Sequence, residues 1–325
     1  MTLQSPGGPE MLRLRDLARP EAREGWALIR VMALGLNRSE LFTRRGLSPG
    51  VAFPRILGIE CVGVVEDSLD PELPRGTAVA AAMGGMGRQF DGSYAEYTLL
   101  PTAQLIRLKS DLPWTTLAAI PESYLTAHGS LEALQLRPGH RLLIRAATSS
   151  VGMAALALTA GRGIEVAATT RDPRKAEALS TQGADHVVLD GGVGIRDAVR
   201  EVWSNGADRV LDLVGGSAVL DSLATLNTGG SVCNSGILSD TWTIPAFEPL
   251  EDIPSGATLT TFSSSEINRG GWAQDALDTI VRRIEEDNCR VVIDRIFPLE
   301  ELAAAHHHME ANRAIGKVVA VVHHA

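Results

Sequence analysis

The feature that most constrains this chain is a regular alternation of strand-like and helix-like segments between residues 141 and 235. Residues 141–146, 165–170, 186–189, 209–214 and 231–235 read as strands. Residues 151–160, 174–182, 194–203 and 220–227 read as helices. The strand runs are close to continuously apolar, as expected for strands covered on both faces. Strand–helix alternation at this pitch predicts an α/β fold with a doubly wound parallel sheet, the Rossmann arrangement.

The rest of the chain has a different texture. Residues 1 to about 118 are β-rich, with apolar runs at 26–34, 61–66 and 77–82 punctuated by Gly and Pro. Residues 117–134 carry a helical pattern. Two more helices are predicted at 272–287 and 300–311, and a last strand at 317–322. A chain of 325 residues exceeds one ordinary core, so two domains are expected.

Composition narrows the functional classes. The net charge of −9 disfavours a nucleic-acid partner. No apolar run reaches the ~18 residues of a membrane span, and the first residues lack the basic-then-apolar order of a secretion signal. A cytoplasmic protein is expected. Cys61, Cys233 and Cys289 are scattered, which argues against a disulfide framework and a structural zinc site.

The first predicted strand of the alternating region runs into Ala146-Ala147-Thr148-Ser149-Ser150-Val151-Gly152 and then into a helix. In the G-x-G-x-x-G spacing, Ala147, Ser149 and Gly152 occupy the three glycine places. Small residues let a backbone approach a pyrophosphate, and the amides of a helix start hold its charge. Ala147, Thr148, Ser149, Ser150, Val151 and Gly152 are therefore candidate dinucleotide ligands. The alternative is a small-residue helix start with no ligand.

The second strand of such a unit ends where the adenosine ribose is read. Here the residues are Thr170 and Arg171, with Lys175 one turn on. Basic side chains there suit a 2′-phosphate, so NADP(H) is favoured over NAD(H). Solvated surface charges are the bland reading of the same residues.

The whole chain resembles the medium-chain dehydrogenase/reductase superfamily, and within it the zinc-independent quinone oxidoreductase branch. The resemblance rests on ordered motifs: Leu34-Gly35-Leu36-Asn37-Arg38-Ser39-Glu40, Leu57-Gly58-Ile59-Glu60-Cys61-Val62-Gly63-Val64-Val65, Gly92-Ser93-Tyr94-Ala95-Glu96-Tyr97, Leu125-Thr126-Ala127, Arg137-Pro138-Gly139, Asp212-Leu213-Val214-Gly215-Gly216 and Gly316-Lys317-Val318-Val319. It implies a GroES-like catalytic domain built from both ends of the chain, 1–120 plus 266–325, with the Rossmann domain, 121–265, inserted between them.

The resemblance also implies roles for residues. Asn37 would stand beside the nicotinamide as a hydrogen-bond donor, with Ser39 and Arg44 as further catalytic candidates in the same segment. Thr126, Val214, Gly236 and Lys317 join the cofactor-binding set. Zinc-type relatives hold their ion with an early Cys and the His of a G-H-E element. This chain has Asn37, Arg38 and Ser39 in the first place and Gly58-Ile59-Glu60 in the second, so no metal is expected. Adjacent helical residues diverge by about 100°, so His306-His307-His308 is read as surface imidazoles rather than a metal site. Where many relatives carry a Tyr, this chain has Phe42. Asp190 follows the third strand, where a carboxylate would oppose a 2′-phosphate.

Without a Lewis acid, hydride transfer to an electron-poor acceptor remains feasible. A quinone or an α,β-unsaturated carbonyl fits that chemistry. A zinc-type alcohol dehydrogenase and a cofactor-binding sensor without turnover are the alternatives. The expected partners are a small-molecule substrate and a second copy of the chain, since relatives often pair their cofactor domains edge to edge.

Overall fold

A computed structural model describes residues 1–191 and 194–324. The chain divides into two compact units. One comprises Met1–Leu125, Ser265–Glu285 and Ile293–Ala325, and the other Thr126–Ser264 and Glu286–Val292.

The second unit is built on a six-stranded parallel sheet. Across the sheet the strands run His186–Leu189, Glu165–Thr170, Arg141–Arg145, Ala207–Asp212, Leu226–Asn234 and Thr258–Thr261. The first strand in the chain thus lies beside both the second and the fourth, and the winding reverses there. That reversal is the switch point at which α/β sheets bind ligands, at the carboxyl ends of their strands. Five of the six strands coincide with predicted ones. The sixth, Thr258–Thr261, is short, polar and only half-buried, so it carries no apolar signal.

The crossovers are helices at Ser150–Thr159, Ala176–Thr181, Ile195–Val202 and Ala218–Ala224. Leu143, Ala167, Val188, Val199, Trp203, Val210, Leu223 and Val232 form a shared apolar core. The first strand is not wholly apolar, as the sequence pattern suggested. Arg145 lies fully buried within it.

The first unit holds a seven-stranded sheet and a small three-stranded one. Its centre is the long strand Trp26–Leu36, flanked by Glu60–Asp67 and Tyr97–Pro101. The strand Lys317–Val321 also pairs with it, antiparallel, with Val318 opposite Leu36 and Val321 opposite Ala33. Both ends of the chain therefore build one core, in which Leu34, Leu36, Leu57 and Tyr94 pack with Leu302, Ala305 and Val318.

The helix predicted over 117–134 is two helices, Trp114–Ala118 and Pro121–Ala133. Pro121 lacks the amide that would continue the first, and its fixed φ suits the start of the second. No helix among the described residues is long and apolar enough to cross a membrane.

Candidate active site

The turn after the first parallel strand is held from below. Ala146 adopts a left-handed backbone, φ 55°. Its amide donates to Thr169 Oγ1 at 3.0 Å, and the Ala147 amide donates to the Thr169 carbonyl at 3.0 Å. Ser149 caps the following helix, accepting from the Gly152 amide at 3.2 Å. A Cβ at residue 152 would lie 2.5 Å from the Ala147 carbonyl oxygen, so only glycine lets the helix close on the turn. The amides of Ser150 and Val151, in the first helical turn, have no carbonyl behind them in the helix. They are left to meet an anion.

Thr170 is buried, and its hydroxyl donates to the Asp172 carbonyl at 3.2 Å. Arg171 is exposed and forms no side-chain hydrogen bond or ion pair with the described residues. Asp172 is engaged by Arg174 at 2.8 Å, which holds its carboxyl down at about 2. Lys175 lies in the short 3-10 turn that follows, half-buried.

Asp190 corrects an expectation. Its carboxylate does not stand as a free negative charge beside the adenosine end. It is buried and takes a bidentate grip from Arg145, with Nη2 at 2.9 Å and Nε at 3.1 Å from Oδ2. Thr169 Oγ1 donates to the same oxygen at 3.3 Å. Arg145 reaches on to the Ala218 carbonyl and Ser222 Oγ, and Ser222 donates to Asp212 at 2.5 Å. Asp212 in turn accepts from the amides of Val214 and Gly215, each at 2.8 Å. A Cβ on Gly236 would lie 2.4 Å from the Leu213 carbonyl oxygen, so Val214 and Gly236 mark two strand ends packed backbone to backbone. One buried polar network thus fixes the turn, Asp190 and Val214 together. Thr126, on the Pro121–Ala133 helix, is buried, and its carbonyl accepts from Ser130.

The first unit holds a second cluster. Asn37 caps the helix Arg38–Arg44, its amide donating to Glu40 at 3.1 Å. Its side chain is locked at both ends: Nδ2 donates to Glu60 Oε1 at 2.8 Å, and Oδ1 accepts from Lys317 Nζ at 2.7 Å. Lys317 Nζ lies 2.5 Å from Glu60 Oε1 and also donates to Ser123 Oγ at 2.9 Å. Glu60 Oε2 accepts from the Glu122 amide. A Cβ at residue 35 would strike both Glu60 and Lys317 at 2.4 Å, so Gly35 makes room for the pair. Burial raises the Glu40 carboxyl to about 7. Asn37 keeps one unspent N–H on a fixed amide.

Ser39 lies apart from this cluster and accepts from Arg88. Arg44 is buried in a different setting, donating to the Gly7 carbonyl, Glu310 and His306 Nδ1. Its guanidinium does not join Asn37. Lys317, placed by resemblance in the cofactor-binding set, has its ammonium almost wholly enclosed, 2 % exposed, by Glu60, Asn37 and Ser123.

His306 also departs from the sequence reading. It is fully buried, not a surface imidazole, and contacts the Tyr94 hydroxyl at 2.9 Å. His307 is exposed, and His308 pairs with Asp294. The three cysteines are all buried, and burial pushes the Cys61 thiol up to about 12, so it stays protonated and unreactive. Arg145 and the Lys317–Glu60 pair were not singled out as a network from sequence. The only signal was a charge inside an apolar strand.

Two family models match: an alcohol dehydrogenase GroES-like domain over residues 23–110 and a zinc-binding dehydrogenase over residues 182–320. A quinone oxidoreductase of Pseudomonas aeruginosa is 29% identical, covering 96% of this chain and 96% of its own length. The human quinone oxidoreductase is 27% identical over 96% of this chain and 94% of its own. This chain belongs to the medium-chain dehydrogenase/reductase superfamily, in its quinone oxidoreductase-like branch. It is an oxidoreductase.

Among solved members of the superfamily, a mycobacterial protein complexed with NADPH superposes with a TM-score of 0.88 at 26% identity, over 98% of each chain. An NAD-dependent alcohol dehydrogenase superposes with a TM-score of 0.86 at 26% identity, over 99% of each. Members of this superfamily therefore share the fold across both cofactors, and local residues must decide between them. The zinc in the family model's description does not fit the residues around Glu60. Among the described residues no thiolate or imidazole stands with it, and its carboxylate is already paired with the Lys317 ammonium.

Proposed function

We propose that this chain is a zinc-free, NADPH-dependent reductase that passes hydride to a quinone or an α,β-unsaturated carbonyl. The observation that carries this reading is the withdrawal of Asp190 into its pair with Arg145. It leaves exposed Arg171 as the unspent charge after the second strand, suited to a 2′-phosphate. Lys175 stands on the same side of the choice as a second cation.

The turn fits a dinucleotide pyrophosphate. Gly152 opens the space, and the Ser150 and Val151 amides offer donors. Reduced nicotinamide supplies a hydride when bound. The chain's own part is to orient the acceptor and stabilise charge on its oxygen. Asn37 is the proposed donor, because Glu60 and Lys317 fix its amide and leave one N–H unspent. The protein works in the cytoplasm on a small-molecule substrate, as a homodimer.

The test is steady-state oxidation of NADPH and NADH against a panel of quinones and enones, with metal analysis of the purified protein. NADPH should be preferred, and Arg171→Ala should erase the preference. Equal use of both cofactors by the unaltered protein, stoichiometric zinc, or binding without turnover across the panel would each overturn the reading.

A further inference from the structure

The first unit carries a depression of about 280 Å³ lined by Arg30, Glu66, Arg75, Tyr97 and His324. None of these residues belongs to the clusters described above. The depression is built by irregularities in the sheet. Leu28 pairs with Asp67 and Ile29 with Val65, so Glu66 is the extra residue of a bulge. A second shift, between Val31 and Ala33, brackets Arg30 from the other side. Bulges re-aim side chains, and they gather beside functional sites. Arg30 is directly opposite Tyr97 on the neighbouring strand, which makes them side-chain neighbours. Gly63 permits this arrangement, because a Cβ there would lie 2.2 Å from the Arg30 carbonyl oxygen.

The charge of the depression is unbalanced. Arg75 and Arg19 both reach Glu66 Oε1, at 2.7 and 2.9 Å, and Arg30 Nε lies 3.7 Å from Oε2. Three guanidiniums thus share one carboxylate, which they hold below the usual carboxylate range, with the Arg19 hydrogen bond the largest cause. Most of their N–H groups are unspent, since each guanidinium has five. Arg19 also stacks on Tyr97, 4.2 Å from the ring centroid, beside the depression's lining. His324 closes the edge, its Nε2 fixed 2.8 Å from the Val31 carbonyl oxygen. The cluster is a local surplus of positive charge in a chain of net charge −9, and it attracts anions.

We propose that this depression binds a small phosphate monoester. Guanidinium forks match phosphate oxygens in pairs, and the volume suits a small metabolite rather than a dinucleotide. The site stands apart from the Asn37 cluster, and its existence does not depend on the cofactor reading.

The test is calorimetric titration with glycerol 3-phosphate in a phosphate-free buffer. Four proteins are compared: the unaltered chain, Arg75→Glu, Arg30→Gln and Arg171→Gln. Arg75 is well exposed, so the charge reversal leaves the fold intact, and thermal melting checks this. Arg30→Gln serves as a second variant. Saturable binding by the unaltered chain is expected, weakened about tenfold or more in Arg75→Glu and in Arg30→Gln, and unchanged in Arg171→Gln. No saturable binding by the unaltered chain overturns the proposal. So does binding that survives both depression variants, or binding lost in Arg171→Gln.

Discussion

Arg145 and Asp190 form a bidentate ion pair inside the parallel sheet's carboxyl edge, with Nη2 2.9 Å from Oδ2 and neither side chain meaningfully exposed. Breaking one half of such a pair strands a buried charge, which costs about 3–5 kcal/mol. Asp190→Asn is expected to lower stability by that order, read as a fall in the urea midpoint. Replacing both partners, Arg145→Met with Asp190→Leu, should recover much of the loss. A single variant as stable as the parent would show that the pair contributes little.

His306 predicts a pH dependence. Arg44 Nε donates to its Nδ1, so the neutral ring carries its proton on Nε2, toward Tyr94. Protonating Nδ1 would set two donors face to face. Burial, then the Arg44 charge, lowers its pKa from 6.5 to about 3. The unfolded chain therefore takes up a proton near 6.5 that the folded chain refuses. Stability supported by His306 is complete above 6.5 and is lost as pH falls toward 3. His306→Gln should flatten the stability profile in that window. An unchanged slope would refute the assignment.

Gly152 is expected to tolerate no side chain. The clash of an added Cβ is with backbone atoms of Ala147, which cannot swing aside. Gly152→Ala should weaken NADPH binding by about tenfold or more, about 1.4 kcal/mol, by shifting the amides that receive the pyrophosphate. Fluorescence titration of NADPH measures it. Full affinity in the variant would move the pyrophosphate elsewhere.

Asn37 separates orientation from cofactor binding. Asn37→Ala is expected to reduce kcat by about a hundredfold, the typical loss for one donor to a developing oxyanion. The KM for NADPH should stay unchanged. If kcat is retained, another group stabilises the acceptor oxygen.

Much of the fold was legible because its strands are buried on both faces. Runs such as Leu142-Leu143-Ile144 and Val166-Ala167-Ala168 have few other uses. The strand Thr258–Thr261 was not legible, since TLTT offers neither an apolar run nor alternation. The phosphate turn could be read from Gly152 and its setting, but the strained residue is Ala146, outside the glycine spacing. The polar networks were the hidden part. Arg145 pairs with a residue 45 positions away and Lys317 with one far earlier in the chain, and no local pattern reports such partners. His306 was misread for the same reason: its helix is short, and its burial depends on Tyr94 and Arg44 from the other end of the chain.

The pairing of Lys317–Val321 with Trp26–Leu36 has a consequence for biosynthesis. On the ribosome, a strand at residues 26–36 must wait for one at residues 317–321. The parallel sheet, wholly contained between residues 141 and 261, has all its strands long before that moment. Its early strands leave the exit tunnel with their partners close behind. The Ala33–Leu36 end of the long strand instead spends most of translation with one edge bare, although Tyr97–Pro101 already covers its Trp26–Arg30 half. Domains generally mature in the order they are synthesised, and unpaired edges invite aggregation. Here the order is inverted: the parallel sheet is equipped to fold first, and the sheet around Trp26–Leu36 is completed only after it.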